Sequence, residues 1–482
     1  MKTDMQAGLA LMVVAGLATV SPAFAADAPA SALVSAKSTA ADQKSVSITI
    51  YNDNLGLVKD IRSLELKNGV QNLWFEGVAG QIDATSVHIR SVDAANSLRV
   101  LEQNFEYDLI SPEKLMEKYL GQTVELVTMN GDKEETVRAK LIGTQGGTVY
   151  ELENGKIAVN PPGRVVLPAL PSGLVSKPSL VWMLESSKAK QTVEASYLTG
   201  GIGWKADYVA VLAADDSKLD LSGWVTINNQ SGATYHDAAL KLVAGDVNRV
   251  QPQPTYVMND ALQARGAVAK ERQFQEESFF EYHLYTLERK ATLKDNQTKQ
   301  IELLSAENAA ARKSFVIQPQ YSYWYYRNDQ VEKPKVGVYI SVENSKKNEM
   351  GMPLPKGVVR VYKQDSKGDL QFVGEDAIDH TPEDETIRIK MGDAFDVVAE
   401  RAQTSFEVLS SGHLYRSSYK VTLRNHKSES ITVSVVDLLA GDWTITASSH
   451  KYDKETASRV RFDIPVASKG SAELTYTVEV RQ

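Results

Sequence analysis

The chain has 482 residues, a length that allows about three domains with cores of their own. Its 43% apolar and 24% charged residues are typical of globular proteins and exclude wholesale disorder. The net charge of −8 at pH 7 argues against a protein that tracks nucleic-acid phosphates. The lack of cysteine excludes disulfides, thiol catalysis and cysteine-ligated metals.

The N-terminus has the pattern of a secretory signal peptide. Lys2 precedes an apolar run at residues 9–20, and Ala23-Phe24-Ala25 is the small-x-small motif that signal peptidase reads. We therefore predict a signal peptide at residues 1–25 that is cleaved after Ala25. The mature protein is expected in a bacterial periplasm, with no membrane span after cleavage.

Residues 26–44 are rich in Ala, Ser, Lys and Asp and poor in bulky apolar side chains, so they predict a flexible leader. From residue 45 to 106, short stretches of alternating apolar and polar residues are separated by turn signals such as Asn52-Asp53-Asn54. This spacing, with no helical pattern in between, predicts an N-terminal β domain.

Residues 107–168 predict a small module that begins with a helix. Ser111 is a natural N-cap, Pro112 suits the first helical position, and Gly121 follows the end of the pattern. Five short apolar runs follow up to residue 167, which predicts a small SH3-like or Sm-like barrel. The proline-rich residues 168–178 are expected to form a linker.

The rest of the chain is predicted to be β again. Residues 180–250 form a first β-sandwich part, and residues 278–482 form a C-terminal β-sandwich. Between them, residues 251–277 are rich in Gln and Ala with weak periodicity, which indicates an exposed or disordered insertion. The predicted fold class is therefore all-β and multidomain, with tandem β-sandwiches and a small SH3/Sm-like barrel insertion.

A repeated stretch supports tandem sandwiches. Residues 421–425, Val-Thr-Leu-Arg-Asn, lead to Ala440-Gly441-Asp442, and an earlier copy at residues 225–229 leads to Ala244-Gly245-Asp246 with no gap. A shorter echo at residues 340–344 keeps the alternation and the final Asn but lacks the Gly-Asp ending. Alternation predicts a half-buried strand, and Asn suits its end because its side chain bonds nearby backbone.

Five motifs stand out in residues 190–481: Ser196-Tyr197-Leu198, Gly203-Trp204, the 280–285 run Phe-Glu-Tyr-His-Leu-Tyr, the 392–396 run Gly-Asp-Ala-Phe-Asp, and residues 419–425. Together they resemble the uncharacterised C-terminal domain of the mucoidy-inhibitor family of bacterial envelope proteins. The resemblance implies an all-β, exported, envelope-associated protein with a link to exopolysaccharide. It implies no catalytic residues.

Three acidic residues form the best candidate catalytic group. Glycoside hydrolysis requires one protonated and one ionised carboxyl group, and Asp393, Asp396 and Glu400 are close in sequence. A turn at Gly392-Asp393 entering a strand at residues 395–400 would place Asp396 and Glu400 on one face. A solvated strand face explains the same residues without catalysis.

The densest aromatic run is the candidate ligand-binding stretch. Tyr321, Tyr323 and Tyr325 would share one face of a strand and Trp324 the other, and such rings can stack on sugars or peptides. Packing against a core or a neighbouring sheet is the alternative. The seven histidines show no helical metal spacing, so neither a metal nor a cofactor is predicted.

These features favour an exported, non-catalytic envelope protein that binds a partner protein or a glycan. The alternative is a glycan-acting hydrolase that uses the acidic residues. A concave acidic pocket with a raised carboxyl pKa would favour the enzyme, and exposed aromatic side chains without such a pocket would favour binding.

Overall fold

The computed structural model describes residues 35–245, 247–248, 274–279, 282–318, 326–410 and 413–481. These residues form 31 strands, one α-helix and three short 3-10 helices, which confirms the predicted all-β fold class. The 3-10 helices are Ala40–Asp42, Ala84–Ser86 and Lys346–Asn348. In this part of the chain, none of the helices is long and apolar enough to cross a membrane.

The elements up to residue 166 are β1 (Ser35–Ser38), β2 (Gln43–Tyr51), β3 (Leu55–Glu65), β4 (Gly69–Glu76), β5 (His88–Ser91), β6 (Leu98–Glu106), α1 (Pro112–Lys118), β7 (Thr123–Asn130), β8 (Lys133–Gly143), β9 (Val149–Leu152), β10 (Ile157–Val159) and β11 (Arg164–Val166). The next five strands are β12 (Ser179–Ser186), β13 (Lys190–Thr199), β14 (Ile202–Leu212), β15 (Lys218–Asn229) and β16 (Tyr235–Ala244).

The predicted flexible leader is partly ordered, because β1 lies within it. This strand pairs in parallel with β4, and the buried guanidinium of Arg62 donates to the Ser38 carbonyl at 3.3 Å. Thr39 and Asp42 cap the following 3-10 helix reciprocally. Composition does not predict these contacts. The strand pairing and the Arg62 hydrogen bond involve residues distant in sequence, and the 3-10 helix is stabilised by local capping. Residues 26–34 lie outside the described ranges.

The helix and five strands of the small module form as predicted. Ser111 accepts a hydrogen bond from the Lys114 amide, as an N-cap does, and α1 ends at Lys118. The sheet order is β10-β9-β8-β7-β11, and its own small core includes Tyr119, Leu141 and Tyr150. Since β10 and β11 lie at the two edges, this sheet stays open, and the predicted SH3-like or Sm-like barrel does not close.

The predicted N-terminal β domain and first sandwich share sheets and a core. β3 pairs with β13, β2 pairs in parallel with β16, and β12 lies between β4 and β6. One cluster of buried apolar residues runs from Val46 to Ile389. The two stretches therefore lack separate cores, because strands far apart in sequence complete each other's sheets.

The later strands are β17 (Phe274–Phe279), β18 (Tyr282–Leu287), β19 (Ala291–Leu293), β20 (Gln297–Ile317), β21 (Val336–Glu343), β22 (Gly357–Gln364), β23 (Leu370–Ile378), β24 (Thr386–Asp393), β25 (Val397–Ser410), β26 (Leu414–Asn425), β27 (Ile431–Leu438), β28 (Asp442–Ser448), β29 (Asp453–Thr456), β30 (Arg459–Val466) and β31 (Ser471–Arg481). The predicted insertion ends earlier than expected, because β17 begins at Phe274, whose side chain is 2% exposed. Residues 251–273 lie outside the described ranges.

The three copies of the repeated stretch have the same strand pairing. β15 lies between β14 and β20, β21 lies between β20 and β24, and β26 lies between β25 and β31, all antiparallel. Each central strand leads into a buried asparagine, namely Asn229, Asn344 and Asn425. The short echo at residues 340–344 is thus equivalent to the two longer copies.

Each of these asparagines closes its unit through its side-chain amide. The nitrogen donates to the loop before the returning strand, from Asn229 to the Lys294 carbonyl at 3.0 Å, from Asn344 to Pro382 at 2.8 Å and from Asn425 to Ala467 at 3.0 Å. The oxygen accepts from a nearby backbone N–H, that of Ser231, Gly351 or Lys427. Since donor and acceptor are both satisfied, the amide is a stable part of the core.

β20 is the longest strand of the described chain, with 21 residues. Its first half pairs with β15 and its second half with β21, so the first and second repeated units have this strand in common. Its end also pairs in parallel with β27 of the third unit. One sheet is therefore continuous from the first unit to β27, whereas the central strand of the third copy, β26, lies in a separate four-stranded sheet.

Candidate functional site: the aromatic face of the ten-stranded sheet

The predicted acidic group does not form one strand face. Asp393 ends β24, Asp396 lies in the turn between β24 and β25, and only Glu400 lies in β25, four residues into the strand. The predicted strand start at residue 395 is wrong because Phe395, with 96% of its surface exposed, has no core to pack against. Val397 is the first residue of the strand to be buried.

Glu400 does not have the properties of a general acid. Its carboxylate accepts hydrogen bonds from Arg424 on the neighbouring strand, at 2.7 Å and 3.3 Å. These contacts with Arg424 hold the pKa of Glu400 below its usual value, whereas an acid that protonates a leaving group needs a raised pKa.

Tyr321, Tyr323, Trp324 and Tyr325 lie outside the described residues. Among the described residues, no group of three or more His, Asp or Glu side chains could hold a metal ion.

A small cleft beside β25 contains a charged cluster. Arg401 donates to Asp437 at 2.8 Å and to Glu332 at 3.2 Å, and its guanidinium lies 4.2 Å from the ring centre of Tyr419. Burial would lower the pKa of Arg401, but the Asp437 carboxylate and two tyrosines raise it above its usual value. The arginine is engaged by two carboxylates of its own chain, so this cluster joins elements of the fold.

Ten strands form one sheet in the order β23-β22-β14-β15-β20-β27-β30-β29, with β21 paired to β20 and β24 paired to β21. The outer surface of this sheet carries exposed aromatic side chains. On β14, β15 and β22, one set of alternating residues packs in the core, and the other set faces away from it. Five outward residues on four neighbouring strands define what we call the aromatic face: Asp207, Trp224, Arg360, Tyr362 and Phe372.

An ion pair forms the centre of the aromatic face. Arg360 donates to the Asp207 carboxylate at 3.2 Å and lies 3.3 Å from Glu375. The Thr226 hydroxyl donates to Asp207 at 2.7 Å and in turn accepts from Gln300 at 3.1 Å. These side chains fix each other's orientation, so the polar centre is preorganised.

Burial alone would raise the pKa of Asp207, but the hydrogen bonds from Thr226 and Arg360 lower it below its ordinary value. A carboxyl with a lowered folded-state pKa stabilises the fold above its unfolded-state pKa, and this contribution is lost as the pH falls through the folded-state value. We therefore expect the urea midpoint to fall as the pH drops from about 5 to about 2, and to fall less in Asp207→Asn. Asp132→Asn, at an exposed turn of the small module, is the control and should keep the wild-type pH profile. Identical profiles for Asp207→Asn and the wild type would contradict the assignment.

Aromatic rings lie on both sides of this centre. Trp224 is directly opposite Asp207 on β15 and is 37% exposed. Tyr362 lies two residues beyond Arg360 on β22, and its ring meets that of Phe372 edge-on at 5.7 Å. Phe372 itself is 56% exposed. Exposed rings beside oriented polar groups form a surface suited to binding.

The sequence contained a signal for this face. In β15 the buried residues Leu219, Leu221, Val225 and Ile227 alternate with polar ones, and Trp224 occupies a polar position. A large aromatic residue in the solvent-facing half of an alternating strand is an exception to the pattern, and such exceptions mark candidate contacts.

These features define an all-β protein of repeated sandwich units with an exposed aromatic face. Residues 193–482 match the model of a domain of unknown function (DUF4139), and the chain belongs to this family. The match includes all five residues of the aromatic face. A comparison with curated proteins found no match.

Proposed function

We propose that the chain is an exported, non-catalytic protein of the bacterial cell envelope that binds a partner protein or a glycan through its aromatic face. The exposed Trp224 and Phe372 rings around an oriented ion pair are the observation that supports this role. The N-terminal signal pattern supports export, and the quoted motifs support membership of the mucoidy-inhibitor family.

The hydrolase alternative receives less support. Glu400 is held in its ionised form by Arg424, and Asp393 and Asp396 lie outside its strand. A glycosidase needs one carboxyl group that stays protonated near neutral pH. Release of reducing sugar from envelope polysaccharide by the purified protein would restore the enzyme hypothesis.

Trp224→Ala is expected to abolish most binding of the mature protein, from Ala26, to isolated cell-envelope material. Removing the indole deletes the largest side chain of the aromatic face, which lies on the side of β15 opposite its buried core residues. Co-sedimentation of the protein with washed envelopes measures this. The fluorescence and unfolding curve of the variant check that it is folded.

Phe395→Ala provides the matched control, because this ring is 96% exposed and lies away from the aromatic face, in the turn between β24 and β25. The control should bind like the wild type. Equal losses in both variants, or wild-type binding by Trp224→Ala, would show that the aromatic face is not the binding surface.

A further inference from the structure

The distance between the rings of the aromatic face suits an extended ligand. Trp224 and Tyr362 are separated by two strand spacings across the sheet and four residues along it. With about 4.8 Å between strands and about 3.3 Å per residue, their Cα atoms are about 16 Å apart. A ligand that contacts both rings must therefore be long and flat, with an apolar surface that recurs along its length.

The polar centre between the rings offers both donors and acceptors. Arg360 supplies N–H groups, and Glu375 beside it, with a side chain that is 53% exposed, supplies carboxylate oxygens. Asp207 is only 7% exposed and holds Arg360 in its orientation. A sugar hydroxyl both donates and accepts hydrogen bonds, so it fits such a mixed set, while pyranose rings present C–H surfaces that stack on aromatic rings.

The charges around the centre disfavour an acidic ligand. Three carboxylates, those of Asp207, Glu302 and Glu375, face two cations, Lys205 and Arg360. Both cations already lie within 3.5 Å of the Asp207 carboxylate. A polyanion would meet net negative charge here and would have to compete with Asp207 for each cation.

We infer that the aromatic face binds an uncharged, extended oligosaccharide, with sugar rings stacked on Trp224 and on the Tyr362–Phe372 pair and with hydroxyls bonded to Arg360 and Glu375. This inference rests on the proposed binding role of the face. It adds the chemical class of the ligand and its orientation, which runs obliquely across β15, β14 and β22.

The test is isothermal titration of the mature protein with uncharged oligomers of glucose, galactose, mannose and N-acetylglucosamine, and with uronic-acid oligomers of the same lengths. At least one uncharged oligomer should bind, and longer oligomers should bind more tightly until both ring sites are occupied. Trp224→Ala and Phe372→Ala should each weaken binding about tenfold or more, while Phe395→Ala should not. The uronic-acid oligomers should bind more weakly than their uncharged equivalents.

The outcomes separate this inference from the proposed function. If envelope material binds in a Trp224-dependent manner but no uncharged oligomer does, the ligand is of another class, and the oligosaccharide inference is wrong while the binding role stands. If uronic-acid oligomers bind as tightly as uncharged ones, the charge argument is wrong and the inference is overturned. If neither envelopes nor oligomers bind, both proposals fail.

Discussion

Replacing Arg401 by alanine is expected to destabilise the C-terminal unit by about 3–5 kcal/mol, the usual cost of removing one partner of a buried ion pair. The substitution leaves the Asp437 carboxylate, which is 3% exposed, without its strongest cationic partner. It also removes the contact that holds Glu332 beside β25. The variant is therefore left with a buried charge that water cannot solvate.

Urea unfolding followed by tryptophan fluorescence measures this loss, because the buried Trp443 belongs to the same unit. Arg416→Ala is the control, since its partners Glu407 and Glu479 are accessible to solvent, and it should change the midpoint little. The double variant Arg401→Met/Asp437→Leu should recover much of the loss, because neither charge remains. If the double variant is as unstable as Arg401→Ala, the loss of stability comes from lost packing and not from the unpaired Asp437 charge.

Asn229→Asp is expected to cost about 3 kcal/mol or more, since a charged group would replace a buried, fully bonded amide. The amide nitrogen of Asn229 lies 2.9 Å from the Ala233 carbonyl and 3.0 Å from that of Lys294. A carboxylate there would face carbonyl oxygens without a proton to donate. The equivalent substitutions at Asn344 and Asn425 should have similar effects, because their environments match.

The neighbouring residue provides the control. Asn228 precedes Asn229 in β15 but faces solvent, so Asn228→Asp introduces the same negative charge at the adjacent position, outside the core. Urea unfolding of the pair of variants compares them directly. If the two variants have equal urea midpoints, the hydrogen bonds of the buried Asn229 amide contribute no measurable stability, and the prediction is wrong.

The local alternation of apolar and polar residues predicted many of the strands. It did not predict the long-range hydrogen bonds of the buried asparagines. An Asn at a strand end predicts bonds to nearby backbone, and Asn229 does bond Ser231 and Ala233. Its bond to Lys294 depends on the return of β20, which no local rule supplies. The ordered leader was missed for the same reason, because Arg62 fixes Ser38 from another strand.

The candidate site was only partly accessible to sequence analysis. Trp224 stands out by its position in an alternating strand, but the other four residues of the aromatic face come from β14, β22 and β23, and β22 joins β14 by a parallel pairing. The three acidic residues are close in sequence, but closeness in sequence does not specify side-chain partners. Glu400 faces Arg424 across the ladder, and this cross-strand pair fixes its charge.

The strand that the first two repeated units have in common limits how this protein can evolve. Ser305 and Ala306 of β20 pair with the first unit, and from Ala311 onward the same strand pairs with the second. A recombination point between these units would leave the central strand of one of them, β15 or β21, without β20 as its partner. The chain therefore carries three copies of one design, yet the first two must be inherited, exchanged or deleted together.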